Sequence, residues 1–381
     1  MKVKLESFLQ EVSEKTTENN QYPVLTSSKA GLYLQSDYFN KQVASKDNTG
    51  YKIIKRGQFT YRAMSDTGEF FPNMLDCIDI GIVSPAYPVF EIAKPVVIPE
   101  FLKYYFKSYG FQQSISSFAQ GSTRTSVKYG KLKTVTIDLP EIEEQRKIVE
   151  ILDTAQKLIA HRETEIEKLD ELIKARFVEM FGDPVMNEKD WPTKPLLDMG
   201  QCKNGMNFHY DDEGVEINCL GVGDFKDFSV INNTDKLPKI SLKEMPSEEY
   251  LLKDDDIVFV RSNGNKALVG RSIAVYPGDI PTTFSGFCIR YRKHDNEITV
   301  PYLLRVLKAD SMRVKMTGRG ANIQNLNQQI LRTLVIPVPP IQLQNQFADF
   351  VHQVDKSKVA VQKALEESQL LFDSLMQEYF G

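Results

Sequence analysis

Arg62 and Arg261 stand 199 residues apart, each directly after a short apolar run and directly before a polar loop. The runs are Phe59-Thr-Tyr-Arg62 and Val258-Phe-Val-Arg261. A guanidinium so placed presents a planar fork of donors that suits guanine O6 and N7, or a phosphate. It equally suits a salt bridge common to the fold. The loops that follow are unlike: Met64-Ser-Asp-Thr-Gly68 in the first half, Ser262-Asn-Gly-Asn-Lys266 in the second. Ser65 and Asp66, and on the other side Ser262, Asn263, Asn265 and Lys266, carry donors and acceptors for base edges or phosphates. A second set lies farther along each half: Arg124, Lys128 and Lys133, then Arg319, Asn322 and Gln324. There phosphate contact competes with local capping by Asn and Ser.

No Gly-x-x-x-x-Gly-Lys-Ser/Thr loop occurs, and no Gly-x-Gly-x-x-Gly follows a strand. Gly221-Val-Gly223 and Gly318-Arg-Gly320 read as turns. The base-amino methyltransferase tetrapeptide, Asp/Asn-Pro-Pro-aromatic, is missing; the one Pro-Pro pair, Pro339-Pro340, precedes Ile341. The four histidines and the four cysteines show no metal-like spacing. Asp254-Asp-Asp256 has the composition of a cation site, but a turn is the better reading. Glu163, Glu165 and Glu167 form a charged helical face. The residue types argue against catalysis and against a metal.

The elements that must hold these loops occur twice. From 121–182 and again from 320–381 the same pattern recurs without gaps: loop, short strand, Pro, long amphipathic helix, Phe-Gly. Leu132 matches Leu331, Ile137 matches Ile336, Gln145 matches Gln344, and Phe181-Gly182 matches Phe380-Gly381. Upstream, Ile98-Pro99 resembles Val300-Pro301 with a small shift. Strands are expected over 52–54, 58–61, 78–84, 87–92 and 132–139, with a helix from Pro99 to about Phe118. The second half repeats the plan, with strands at 257–260, 287–291 and 331–338 and a helix over 300–315. A repeated frame with differing loops is what two related binding modules with different ligands would show.

In the first long helix, Gln145, Leu152, Ile159, Ile166, Ile173 and Met180 recur every seven residues, complemented by Ile148, Ala155 and Leu169. Arg162 and Arg176 interrupt that seam. The second carries Phe347, Val351, Val354, Val361, Leu365, Phe372 and Leu375. Seven-residue spacing makes a helix–helix seam, and helices of ~40 residues reach about 60 Å. The pair is expected to run antiparallel, as a connector between modules or as a spacer of fixed length.

The chain has 381 residues, 41% of them hydrophobic and 26% charged, ordinary values for a soluble protein of two or three domains. No apolar run reaches the ~18 residues of a membrane span, and the first residues turn polar too soon for a secretory signal. Scattered cysteines fit a reducing cytoplasm. The net charge of −4 is unevenly spread: residues 1–140 hold 17 basic and 13 acidic groups, while 141–182 hold 7 and 11. Residues 290–320 carry eight basic groups, among them Arg305, Lys308 and Arg313, against three acidic ones. Local basic strips of this kind suit phosphate, and also occur on proteins that bind none.

Together these features resemble the specificity (S) subunit of type I restriction–modification enzymes. The resemblance covers essentially the whole chain. It is carried by Leu139-Pro-Glu-Ile-Glu-Glu-Gln-Arg-Lys-Ile148, by Phe181-Gly-Asp-Pro184 followed by Trp191-Pro192, and by Val83-Ser-Pro-Ala-Tyr87. Phe259-Val-Arg-Ser-Asn-Gly264, Leu268-Val-Gly-Arg-Ser272 and Thr283-Phe-Ser-Gly-Phe287 complete it. The resemblance implies an α+β protein, pseudo-two-fold symmetric, with two similar target-recognition domains joined by two long antiparallel helices. The corresponding division is 1–140, 141–182, 183–339 and 340–381. It implies a non-catalytic subunit that reads a bipartite site in double-stranded DNA and docks two methylation subunits, and through them restriction subunits. No cofactor is expected on this chain; S-adenosylmethionine, ATP and Mg belong to the partners. The competing expectations are a self-contained DNA methyltransferase or nuclease with an unrecognised site, and a protein-binding scaffold.

Overall fold

Two helices of 40 residues each, Ile142–Phe181 and Ile341–Phe380, are the longest elements of the chain. The computed structural model describes residues 1–38, 47–119, 125–208, 214–225, 229–294, 296–317 and 325–381. Pro340 stands immediately before its helix and Pro140 two residues before the other, where proline bars an earlier turn. The first helix ends at Gly182, whose φ of +76° closes the last turn through its N–H to the Val178 carbonyl at 2.8 Å. No helix among the described residues is long and apolar enough to cross a membrane.

The chain divides into two compact units, residues 1–164 with 362–381, and residues 165–361. Unit one holds a four-stranded sheet in the order Leu9–Val12, Val89–Ile92, Phe59–Thr60, Asn73–Met74. Unit two holds a five-stranded sheet in the order Gly200–Asn204, Cys288–Lys293, Asp256–Val260, Ser272–Val275, Val230–Ile231. The first four strands of the second list follow the order of the first sheet. In unit one the helices Pro99–Tyr105 and Tyr109–Ser116 share a core with Phe59 and Phe90. In unit two Val300–Lys308 and Asp310–Thr317 share one with Phe259 and Ile289.

Three expectations from the sequence change. The single helix over 99–118 is two, because Ser108 accepts the Phe111 N–H at 3.2 Å and caps a new start. The helix over 300–315 likewise breaks at Ala309, whose ψ is 138°. The strands over 132–139 and 331–338 are shorter, Thr136–Asp138 and Val335–Pro337, each preceded by one helical turn. These strands pair with Lys2–Lys4 and Thr193–Pro195, which three polar-rich residues did not announce.

Within each unit the long helices run antiparallel. In unit one Tyr104 touches both Asp153 and Phe372, while Arg162 reaches the Ala364 carbonyl and Ser368 hydroxyl. In unit two Asp170 pairs with Lys358 at 2.6 Å, and the Phe177 and Phe347 rings lie 5.6 Å apart. The seven-residue seam is the covered face: Leu152, Ala155, Ile173 and Met180 are buried, Ile159, Ile166 and Leu169 half-buried. The two polar interruptions are accounted for. Arg162 satisfies a carbonyl and a buried serine across the seam, and Arg176 lies over the Phe350 ring.

Gln145 and Gln344 fasten each sheet module to the start of its helix. Both are fully buried. Gln145 accepts the Ile98 N–H at 3.0 Å and donates to the carbonyls of Val96 and Pro140 at 3.0 and 2.9 Å. Gln344 accepts the Thr299 N–H at 2.9 Å and donates to Glu297 and Pro339 at 3.0 and 2.8 Å. Leucine at either position would orphan three backbone groups, each worth about 1–3 kcal/mol when buried. Gln145→Leu and Gln344→Leu should each destabilise by on the order of 3 kcal/mol in urea denaturation. Their effects should add, since the sites share no partner; an unshifted midpoint in either would deny the clamp its role.

Candidate nucleic-acid interface

In unit one the strand Phe59–Thr60 delivers Arg62 to the sheet end, and the chain turns into Met64–Ser65. That segment pairs antiparallel with Thr125–Ser126, bringing Ser65 opposite Thr125. The Val127 N–H reaches the Ala63 carbonyl at 3.0 Å, and the Tyr61 hydroxyl reaches the Val127 carbonyl at 3.0 Å. Two loops sixty residues apart are thereby stitched side by side. Unit two repeats the device: Ser262 bridges Asn325, and the Leu326 N–H reaches the Arg261 carbonyl at 2.8 Å.

Each stitched edge borders a cleft. The first, about 680 Å³, is lined by Arg62, Ser65, Asp66, Lys29, Thr26 and Tyr87 among others. The second, about 860 Å³, is lined by Asn263, Lys266, Asp224, Lys239, Phe208 and Phe287 among others.

The candidate residues separate by environment. Arg62 is half-exposed, with Asp66 at 3.7 Å, a weak pair open to water. Ser65 is buried, and its hydroxyl meets Thr67 at 3.2 Å, so it shapes the loop. Asn263 accepts the Asn265 N–H and Asn265 accepts the Ala267 N–H, at 2.7 and 3.0 Å. Lys266 is exposed. Arg261, the repeat partner of Arg62, does not line its cleft. Its guanidinium donates to the Gly286 carbonyl at 3.2 Å, and its N–H to the Phe287 carbonyl at 2.7 Å. Lys128 is exposed one residue before the turn Tyr129–Leu132, and Lys133, after it, pairs with Glu6 at 3.6 Å. Neither lines the cleft. Arg124, Arg319, Asn322 and Gln324 lie outside the described residues.

Sequence reasoning passed over one turn-borne aromatic in each cleft, Tyr87 and Phe287. Tyr87 follows a turn that begins at Ser84, and Phe287 a turn that begins at Ser285. Both serine hydroxyls accept the amide two residues on, at 3.3 Å. Burial pushes the Tyr87 phenol up, while Arg62 and a hydrogen bond with Thr26 oppose that shift. Phe287 is 61% exposed, unusual for a phenylalanine beside a polar loop. The signal was present in Val83-Ser-Pro-Ala-Tyr87 and Thr283-Phe-Ser-Gly-Phe287, where a serine and an aromatic bracket each turn.

Cys202 and Cys219 have thiols pushed up to about 12, chiefly by burial, and burial raises Cys288 further. Such thiols are poor nucleophiles. No group of three or more His, Cys, Asp or Glu among the described residues could hold a metal. Asp254, Asp255 and Asp256 form a turn: Asp256 is buried against Arg292 at 2.7 Å, Asp255 lies 3.7 Å from Lys293, and Asp254 accepts the Gly278 N–H.

The family described as the type I restriction modification DNA specificity domain matches residues 6–171 and again 188–368. The chain belongs to that family. It is 26% identical over 303 residues to the type I restriction enzyme StySPI specificity subunit of Salmonella potsdam, covering 74% of this chain and 64% of that protein. It is 22% identical to the type I restriction enzyme MjaVIII specificity subunit of Methanocaldococcus jannaschii, covering 87% and 82%. The fold is similar to that of the type I restriction–modification S subunit from M. genitalium, with TM-score 0.53, 17% identity, and coverage of 100% and 96%. A chain from a type I R-M system whose complex assembly and conformational transition were described gives TM-score 0.60 at 15% identity, covering 100% and 97%. The two copies of the specificity domain found here each contain one stitched cleft.

Phe287 and its neighbour Phe284 offer a direct check on which aromatic is surface and which is core. Phe287→Ser should change stability by less than about 0.5 kcal/mol, as for surface positions. Phe284→Ser, at a fully buried site, should cost more than about 3 kcal/mol. Urea denaturation of both variants decides, and a comparable loss at Phe287 would make it a packing residue.

Proposed function

We propose that this chain is a non-catalytic specificity subunit that reads a bipartite site in double-stranded DNA, one half with each module. The observation that carries the reading is the repeated stitched cleft whose lining differs between copies: Arg62, Lys29 and Tyr87 in one, Asn263, Lys266 and Phe287 in the other. Two frames alike and two linings unlike suit two different half-sites. Arg62, Lys266 and Asn263 are the base- or phosphate-facing groups in this proposal. Ser65, Asn265 and Arg261 shape the loops that carry them. Lys128 and Lys133, with Arg124, Arg319, Asn322 and Gln324, serve the phosphate backbone.

In this proposal residues 1–140 and 183–339 are the recognition domains, and the helices of 141–182 and 340–381 set the unread spacer. The helices also dock two methylation subunits, which bring restriction subunits with them. Ile151 and Leu158, seven residues apart on the first helix, are 42% and 41% exposed, Leu172 farther along it is 47% exposed, and Leu370 and Leu371 on the second are 69% and 53% exposed. Apolar rows of this kind suit partner helices. S-adenosylmethionine, ATP and Mg reside on those partners, and the assembly works in the cytoplasm.

Methylome sequencing of cells with and without the gene tests the reading, because a two-part methylated word should vanish with it. Persistence of every methylated word would reject the proposal. Purified chain with its partners should bind duplex DNA with affinity falling steeply in salt. Lys266→Ala should lower affinity and reduce the salt slope by about one; an unchanged slope would take Lys266 off the phosphate path. Inserting four residues in the first long helix should alter the tolerated spacer and leave both half-words intact. Altered half-words with an unaltered spacer would contradict the role given to the helices.

A further inference from the structure

Unit two contains a basic pocket away from the Asn263 cleft. Its volume is about 520 Å³, and its walls come from the sheet, the helices Val300–Lys308 and Asp310–Thr317, and the end of the first long helix. Arg271, Arg305, Lys308 and Arg313 all line it. None of the four forms an ion pair among the described residues. Their hydrogen bonds go to neutral oxygens: Arg271 to the Phe225 carbonyl at 3.5 Å, Lys308 to the Ser229 hydroxyl at 2.7 Å, Arg313 to the Ala267 carbonyl at 3.2 Å. Arg305 makes no hydrogen bond among the described residues. The acids that share the wall are engaged: Asp310 with Lys174 at 3.0 Å, Asp183 with the N–H groups of Val185 and Met186.

The cations press on one another. Burial lowers Arg305, Lys308 and Arg313, and Arg271 adds repulsion on both Lys308 and Arg313. Lys308 is pushed down to about 8, by burial first, then by Arg305, with Lys358 and Arg271 adding to it, against the pull of Asp170; Asp355 of the second long helix also faces it. Asp170 and Asp310 offset part of this on Arg305, and Asp310 on Arg313, but partly buried like charges with no ion pair of their own are costly. The fold itself does not require them, since in unit one Lys103 on the corresponding helix is paired with Asp76 at 2.6 Å.

We propose that this pocket binds a small oxyanion of the phosphate or sulfate type. Three guanidinium groups and an ammonium converging on one cavity supply the forked and point-charge donors that such an anion takes. A cavity of this size, walled on several sides, suits a compact anion better than the rod of a duplex. The basic strip at 290–320 thus divides, with Arg290 and Arg292 held in the sheet by Glu249 and Asp256, and Arg305, Lys308 and Arg313 turned to the pocket.

Sulfate is the probe, because it keeps its charge from pH 7 to 9 while Lys308 does not. Calorimetric titration of the full chain with sodium sulfate, against sodium chloride of equal ionic strength, should give one saturable site that inorganic phosphate competes for. Arg305→Gln and Arg313→Gln should each weaken it by about tenfold or more, the scale of one charge-assisted contact. Lys308 loses its proton as pH rises through its lowered pKa, so affinity should fall between pH 7 and 9. Lys308→Arg should abolish that fall, a result that a merely structural role would not give. Absence of saturable sulfate binding, or equal binding by folded Arg305→Gln and Arg313→Gln proteins, would overturn the proposal. So would pocket variants that lose duplex binding while the parent chain never takes a small anion, since the cations would then belong to the DNA backbone.

Discussion

A buried amide at the foot of each long helix fastens a sheet module, and the loops it carries, to that helix. Gln145 and Gln344 each join one N–H and two carbonyls from three stretches of backbone: the segment before the short helices, the proline turn, and the long helix itself. A salt bridge would carry a larger desolvation cost at such a site, and an apolar residue would leave the backbone groups unpaired. Glutamine has both a donor and an acceptor end and a reach that spans the turn. The orientation of sheet module relative to helix axis is thereby fixed at two matched points, one in each unit.

The far end of each helix is fixed by aromatic packing. Phe181 sits among Phe177, Tyr302 and Phe347, and Phe380 sits against Phe101 and Tyr105. The contact at Phe380 is close enough that Gly110 has no room for a side chain: an added Cβ would lie 2.4 Å from the Phe380 carbonyl oxygen. Each long helix is thus clamped by polar contacts at its start and by rings at its end. Between them runs an apolar seam with two polar interruptions, Arg162 and Arg176. An arginine in such a seam costs stability relative to leucine, and it can hold register in return.

Much of this architecture was legible because it rests on local rules. Proline before the helix, seven-residue spacing along it and Phe-Gly at its end each have one physical meaning, and the duplication doubled every signal. The breaks in the short helices were not legible: Ser108 is a cap only because the chain turns there, and Ala309 carries no breaker chemistry at all. Strands of three residues, such as Lys2–Lys4, owe their existence to a partner more than a hundred residues away. Sequence separation hides such pairings, since their stabilisation comes from the tertiary ladder and not from propensity.

The site shows the same limit in a sharper form. Arg62 and Arg261 are equal by repeat, by preceding strand and by following loop, yet they serve differently. In unit one Met64–Ser65 forms a two-residue ladder with Thr125–Ser126, and Arg62 stays in the cleft beside Asp66. In unit two, among the described residues, Ser262 bridges Asn325, and the Leu326 amide bonds to the Arg261 carbonyl. The Arg261 side chain then meets the Gly286 carbonyl. Gly286 also leaves room for Asn207: a Cβ at Gly286 would lie 2.1 Å from the Asn207 side-chain oxygen. With its arginine drawn aside, the second cleft is left to Asn263, Lys266 and the exposed ring of Phe287. The backbone register of the join differs by one residue between the units, and with it the arginine passes from a cleft wall to a loop brace, so that two copies of one frame present different surfaces.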